Sequence, residues 1–210
     1  AVPHGDLRPS ADGSAGTQDR RASAMAPPAS GTIRVALCLN RVAAGHLSPR
    51  LLGMKPCDRI EMRQPLGMFV LRQPARDSIF IGTGTGVAPY RSMLQAHLQA
   101  SSPAFTLLFG VRYESHLLYR SEFEAMALEY PHFRFWPTLS RPDATWIGRQ
   151  GHVQVHLAEA IGERRDQDVY LCGLKEMVDD GRAVLRGLGS DRTPIFCEEN
   201  GGVGGGRGCC

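Results

Sequence analysis

Three glycines at alternate positions, Gly82, Gly84 and Gly86, stand between a short apolar run (Ile79, Phe80, Ile81) and a stretch of helical spacing. In that stretch the apolar face is Val87, Tyr90, Met93, Leu94, His97 and Leu98. Thr83 and Thr85 alternate with the glycines, and Pro89 follows where a first helical turn accepts it. A strand, a Gly-rich turn and a helix in this order bring backbone N–H groups and a helix N-terminus up to a phosphate. The glycines let the main chain approach closely and take up positive φ. Further groups with chemistry to offer are Arg112, the pair Ser140 and Arg141, Cys172 followed by Gly173, and Glu198 beside Glu199.

The elements that must position them follow from periodicity. Strands are expected at 79–82, 104–110, 133–139, 168–172 and near 194–197. Helices are expected at 87–99, about 117–129, near 152–161 and 174–187. Strands alternating with helices through short connections make a parallel, doubly wound α/β sheet, which binds ligands beyond the C-terminal ends of its strands. Residues 82–86, 110–112, 140–141 and 172–173 each fall at such an end, and that coincidence outweighs any one motif. Ahead of the sheet, residues 32–42 alternate Ile33, Val35, Leu37 and Leu39 with Arg34, Ala36, Cys38 and Asn40, as a half-buried strand does. A helical turn around 50–54 and short strands at 59–62 and within 63–72 complete a partial antiparallel β-barrel. Residues 1–31, rich in Ala, Gly, Ser, Pro and Arg, read as a disordered or atypical arm, and residues 201–210 as a Gly-rich tail. The expected division is therefore 1–31, 32–75, 76–200 and 201–210.

Bulk properties narrow the function classes. Apolar residues make up 42% of the 210 and charged residues 21%, an ordinary soluble balance. A formal charge of +3 is too small to argue for nucleic acid, although a modestly basic surface favours an acidic partner or a phosphorylated ligand. No apolar run approaches the ~20 residues that span a bilayer. No signal-peptide core is present, so a reducing cytoplasm is expected. The chain begins with Ala1, not Met, which leaves room for a preceding segment. The six cysteines (Cys38, Cys57, Cys172, Cys197, Cys209, Cys210) include no C-x-x-C pair and no iron–sulfur spacing, and free thiols are the default. His152 and His156 are four apart but lack a third ligand, so no metal site is expected. Tyr119 and Glu122 fit a helix-surface pair. Trp136 and Trp146 fit packing positions or the flanks of an adenosine loop.

Gly82-Thr-Gly-Thr-Gly-Val-Ala-Pro89, Leu117-Leu-Tyr-Arg-Ser-Glu-Phe123, Leu139-Ser-Arg141 and Tyr170-Leu-Cys-Gly-Leu-Lys-Glu-Met177 together resemble the nicotinamide half of ferredoxin–NADP(+) reductases. These flavoproteins pair an N-terminal FAD-binding barrel with a C-terminal NADP(H) domain. The resemblance implies that Gly82, Thr83, Gly84, Thr85, Gly86 and Pro89 hold the pyrophosphate. It implies that Ser140 and Arg141 grip the 2′-phosphate, where a hydroxyl and a guanidinium fork suit a dianion, and that Arg112 belongs to the cofactor site. Cys172 would lie beside the nicotinamide, with Gly173 and Met177 in the cofactor site, and one of Glu198 and Glu199, with Glu198 favoured, would be the carboxylate near the flavin. An acidic residue in place of Ser140 and Arg141 would have favoured NAD.

The first half is similar to the end of the FAD barrel. Gly45-His-Leu-Ser48 resembles the family's pyrophosphate loop, and 55–58 and 64–67 resemble two of its turns. Cys57 and Gln64 stand where the family has glycines, and Pro49 lacks an N–H. Of the family's flavin motif, R-x-Y-S, Arg21 is in register, while Ser23 and Ala24 occupy the Tyr and Ser places. The resemblance implies a flavin-dependent oxidoreductase, passing electrons between NADP(H) and ferredoxin, flavodoxin or an oxygenase component by hydride transfer between nicotinamide and FAD. The alternative is an NADP(H)-binding module whose degraded flavin site leaves it without catalysis. A flavin-free dehydrogenase ranks below both, because no Tyr-x-x-x-Lys pair is present.

Overall fold

The computed structural model describes residues 35–41, 45–62, 67–189 and 193–199. Its centre is a six-stranded, all-parallel sheet: β1 (Ser78–Thr83), β2 (Phe105–Val111), β3 (Phe133–Leu139), β4 (Arg149–Gln150), β5 (Asp168–Gly173) and β6 (Ile195–Glu199), in the order β4-β3-β2-β1-β5-β6. The helices are α1 (Leu47–Leu52), α2 (Ala88–His97), α3 (Arg120–Glu129), α4 (Leu157–Ile161) and α5 (Lys175–Gly187).

β1, β2 and β5 are continuous apolar runs because helices cover both faces of the sheet. One core gathers Phe80, Phe105, Leu107, Phe109, Tyr170 and Cys172 with Tyr90, Met93 and Leu94 of α2 and Phe123 of α3. The other gathers Ile79, Ile81, Leu108, Val169 and Leu171 with Leu157 and Ile161 of α4 and Met177, Val178 and Leu185 of α5. The chain winds outward from β1 to β3 with helices on the first face. It then returns to β5 on the other side of β1 with helices on the second face, as right-handed crossovers require. The reversal puts the switch point between β1 and β5, whose residues pair from Ser78 with Asp168 to Gly82 with Cys172.

This is the α/β class expected from periodicity, with small differences at the edges. Gly84–Val87 is a 3-10 turn that precedes α2, and Val153–His156 is another that precedes α4. The two-residue β4 was not anticipated.

The segment ahead of the sheet departs from expectation. Residues 59–62 and 67–72 form no strands, and of 35–41 only Val35 and Leu39 make isolated bridges. The alternation is still real, because Phe69 and Leu71 pack on the first core while Met68 and Val70 are 91% and 62% exposed. A strand needs a neighbour to take its N–H and C=O groups, and among the described residues none is supplied there. The expected helical turn is present as α1, shifted earlier by a few residues.

Candidate nucleotide site

β1 runs into the glycine turn without a break. Gly84 has φ +54°, where L side chains are strained, and a Cβ there would meet nothing within 4 Å. Gly86 is needed for a different reason, because a Cβ would lie 2.3 Å from the carbonyl oxygen of Cys172. The same closeness recurs at Gly173, where a Cβ would lie 2.2 Å from Oγ1 of Thr83. Two backbones from opposite sides of the switch point are thus in van der Waals contact. The Leu174 N–H also donates a long 3.4 Å hydrogen bond to Thr83 Oγ1. Pro89 sits in the first turn of α2, whose leading amides lie outside the helix's own ladder.

The ends of β2 and β3 stay together beyond the strands. The Ser140 N–H donates to the Val111 carbonyl and the Arg141 N–H to the Arg112 carbonyl, each at 2.9 Å. Arg112 and Ser140 therefore lie side by side, facing the glycine turn across a cavity of about 360 Å³. Thr83, Gly84, Gly110, His152 and Leu174 line it as well, and Asn40 reaches it from the segment ahead of the sheet. Arg141 adjoins Arg112 through the backbone and is not part of the cavity wall.

Cys172 is the next-to-last residue of β5, at 1% exposure, paired in register with Gly82 on one side and Glu198 on the other. Burial pushes its thiol well above the ordinary range, and Glu198 and Cys197 nearby push the same way. It stays a protonated thiol at neutral pH, so it offers a small neutral surface and not a nucleophile. Glu198 is exposed at the C-terminal end of β6. Met177 is buried in the second core, and a Cβ on Gly173 would meet its Cε at 2.9 Å. Thr85 lies half-buried in the 3-10 turn. Gly45 and Ser48 lie at the amino end of α1, and Arg21 lies outside the described residues.

Other residues singled out in the sequence go elsewhere. Glu122 accepts from Arg91 at 2.8 Å and from Gln95 at 2.7 Å, which ties α3 to α2. His156 Nε2 is 2.9 Å from the Gln150 carbonyl. Among the described residues no three His, Cys, Asp or Glu side chains gather as metal ligands. Sequence reasoning missed Asn40, and it missed Arg149, which lies over Trp136 at 3.8 Å while Glu159 accepts from both its Nη atoms at 2.5 and 2.8 Å. No local pattern carried either, since β4 is two residues long and Glu159 lies ten residues further on.

Strand order, switch point, glycine turn and cavity define a dinucleotide-binding α/β domain. Residues 80–183 match the family described as an oxidoreductase NAD-binding domain. Ferredoxin–NADP reductase B of Sorangium cellulosum (strain So ce56) is 37% identical over 193 residues, 87% of this chain and 79% of that protein. The chain therefore belongs to the ferredoxin–NADP(+) reductase family of oxidoreductases. The ferredoxin–NADP reductase of Thermosynechococcus vestitus is 32% identical over 148 residues, 63% of this chain but 38% of that longer protein. A ferredoxin NADP+ reductase from Neisseria gonorrhoeae, solved with bound FAD and NADP, has the same fold. Its TM-score is 0.68 at 20% identity, covering 88% of this chain and 87% of that one. Among the described residues no helix is long and apolar enough to cross a membrane.

Proposed function

We propose that the chain binds NADP(H) at the β1–β5 switch point and works as a cytoplasmic, flavin-dependent reductase. Its electron partner is ferredoxin, flavodoxin or an oxygenase component. The observation that carries this reading is one cavity at the strand ends whose lining joins Thr83 and Gly84 of the glycine turn with Arg112 and Ser140. That spacing suits a dinucleotide, which presents a pyrophosphate and a ribose phosphate at two separated points. The turn, with Gly82, Thr83, Gly84, Thr85, Gly86 and the Pro89-started helix, takes the pyrophosphate. Arg112 and Ser140, with Arg141 beside them, take the 2′-phosphate by charge-assisted hydrogen bonds.

Cys172 and Gly173, backed by Met177, form the wall for the nicotinamide. The small protonated thiol lets a flat ring lie close without bonding to it. On the flavin side, Ser48 lies in the first turn of α1 and Gly45 just ahead of its cap, where the family's pyrophosphate loop would fall, although Pro49 has no N–H to offer. Arg21, outside the described residues, is the arginine of the flavin motif by sequence, and Glu198 is the carboxylate offered to the flavin ring. FAD, when bound, supplies the exchange between two-electron hydride chemistry and single-electron release. The names of the Sorangium relative and of the Neisseria structure support this reading. The domain division at 32, 76 and 201 belongs to it, with 32–75 as the flavin-side portion.

A second reading, an NADP(H)-binding module without its own turnover, is favoured by one observation: residues 59–62 and 67–72 form no strands, and Met68 and Val70 face outward. An absorption spectrum from roughly 300 to 550 nm, before and after incubation with FAD and desalting, separates the two. Retained flavin bands that bleach with NADPH support the reductase. No retained flavin, with NADP(+) binding intact, selects the module. Loss of both overturns the assignment.

A further inference from the structure

Tyr90 carries a polar atom that none of the roles above uses. It is the third residue of α2 and 0% exposed, and its hydroxyl reaches two main-chain carbonyls at once: Ile81 of β1 at 2.8 Å and Tyr170 of β5 at 3.0 Å. With one proton to donate, it makes a bond shared between the two strands that border the switch point. Its ring fills the space over β1 left by a missing side chain, since a Cβ on Gly82 would lie 3.0 Å from Tyr90 Cε2. Burial raises its pKa well above the usual tyrosine range, so the hydroxyl keeps its proton.

One side chain thus joins three pieces: the first turn of α2, the last turn of β1 before the glycines, and β5 two residues before Cys172. The pieces differ in what they face. The helix and glycines face the pyrophosphate and the end of β5 faces the nicotinamide, while Arg112 and Ser140 stand apart at the ends of β2 and β3. Resting on the NADP(H) reading above, we infer that Tyr90 is a positioning residue for the pyrophosphate–nicotinamide end of the nucleotide alone. Its hydroxyl holds the glycine turn in register with the Cys172–Gly173 backbone. It leaves the adenosine 2′-phosphate end untouched.

The test is Tyr90→Phe, which removes one oxygen and keeps the ring that packs on Phe80 and Phe69. Calorimetric titration of the full chain with NADP(+) is compared with adenosine 2′-monophosphate, the fragment that lacks both the pyrophosphate and the nicotinamide. NADP(+) is expected to weaken about five- to tenfold, the usual scale for one buried hydrogen bond. The monophosphate is expected to change less than twofold. Equal weakening of both ligands would mean a general loss of structure and overturns the inference, as does no weakening of either. If the unmodified chain binds neither ligand, the NADP(H) reading fails before Tyr90 is at issue. Should the variant not fold, hydrogen exchange on the unmodified chain decides. NADP(+) must then protect the amides of 82–86 and 171–173 together, and protection of one segment without the other refutes the coupling.

Discussion

Replacing Gly86 with alanine is the sharpest test of the contact between the two halves of the switch point. The added Cβ would lie 2.3 Å from the Cys172 oxygen, 2.8 Å from its carbonyl carbon and 3.1 Å from Gly173 Cα. All three atoms are backbone, so no rotamer change relieves the overlap. The turn and the end of β5 must separate by about 1 Å to reach an ordinary contact. Overpacking of this kind costs about 1–3 kcal/mol. At about 2–4 °C per kcal/mol for a chain of this size, the melting temperature should fall by several degrees. The functional loss should be larger, because a shift of about 1 Å between reacting groups can cost about a hundredfold in rate. Gly189→Ala, just past α5 and outside the cavity, is the control. It meets nothing within 4 Å but sits at φ +67°, so it carries about 1–2 kcal/mol of backbone strain and pushes on no part of β5. Thermal unfolding followed by circular dichroism, with NADPH-driven dye reduction on the FAD-loaded protein, should show the two variants similarly destabilised and Gly86→Ala far slower. Equal rates in the two variants, or an unperturbed Gly86→Ala, would refute the close-contact account.

Ser140→Ala and Arg112→Ala should each weaken NADPH by about ten- to a hundredfold and leave NADH within about twofold, since a charged hydrogen bond is worth about 1.5–3 kcal/mol. Binding titrations with both nucleotides check this, and equal losses for both would remove these residues from the phosphate site. Cys172→Ala should flatten the stability profile in alkali. The thiol titrates higher folded than unfolded, so the native state keeps a proton that the unfolded chain loses. Stability present below about pH 8.5 therefore drains away as pH rises. Urea melts of both proteins across this range would show unchanged slopes if the thiol were not buried. Asp168 is fully buried at the start of β5, with no hydrogen bond to either carboxylate oxygen and Arg72 3.9 Å away. Burial raises its pKa against the pull of Arg72 and Arg76, so its charge destabilises the fold at neutral pH. Asp168→Asn should gain about 1 kcal/mol at pH 7, with the gain vanishing below roughly pH 4. A loss at pH 7 would show that the Arg72 pair outweighs desolvation.

What could be read from the sequence follows the range of the forces involved. β1, β2 and β5 are apolar runs punctuated by glycines, and local pattern suffices for a strand buried on both faces. Met68 and Val70 against Phe69 and Leu71 show the same pattern, yet a strand also needs a partner, which periodicity does not supply. β3 was legible despite Pro137, because β4 pairs with Thr138 and Leu139 alone and leaves the outer edge beside the proline open.

The glycine turn between β1 and α2 was legible from its neighbours in sequence. The distinct demand on Gly86 was not, because it comes from Cys172, which is 86 positions away and becomes a neighbour when β5 returns to the far side of β1. Tyr90 shows the same limit at one residue. Its ring belongs to the apolar face of α2, and helical spacing finds it. Its hydroxyl answers to Tyr170, 80 residues further on, and to a carbonyl of the strand before it. Tyr170 in turn accepts from the Arg72 N–H at 2.9 Å, 98 residues back, on the segment that leads into the sheet. Apolar periodicity thus places the aromatic rings, while the two hydroxyls are used only once the doubly wound order has brought β5 beside β1. The tyrosines at 90 and 170 thus differ from phenylalanine where the segment leading into the sheet, the glycine turn and β5 keep a fixed spacing.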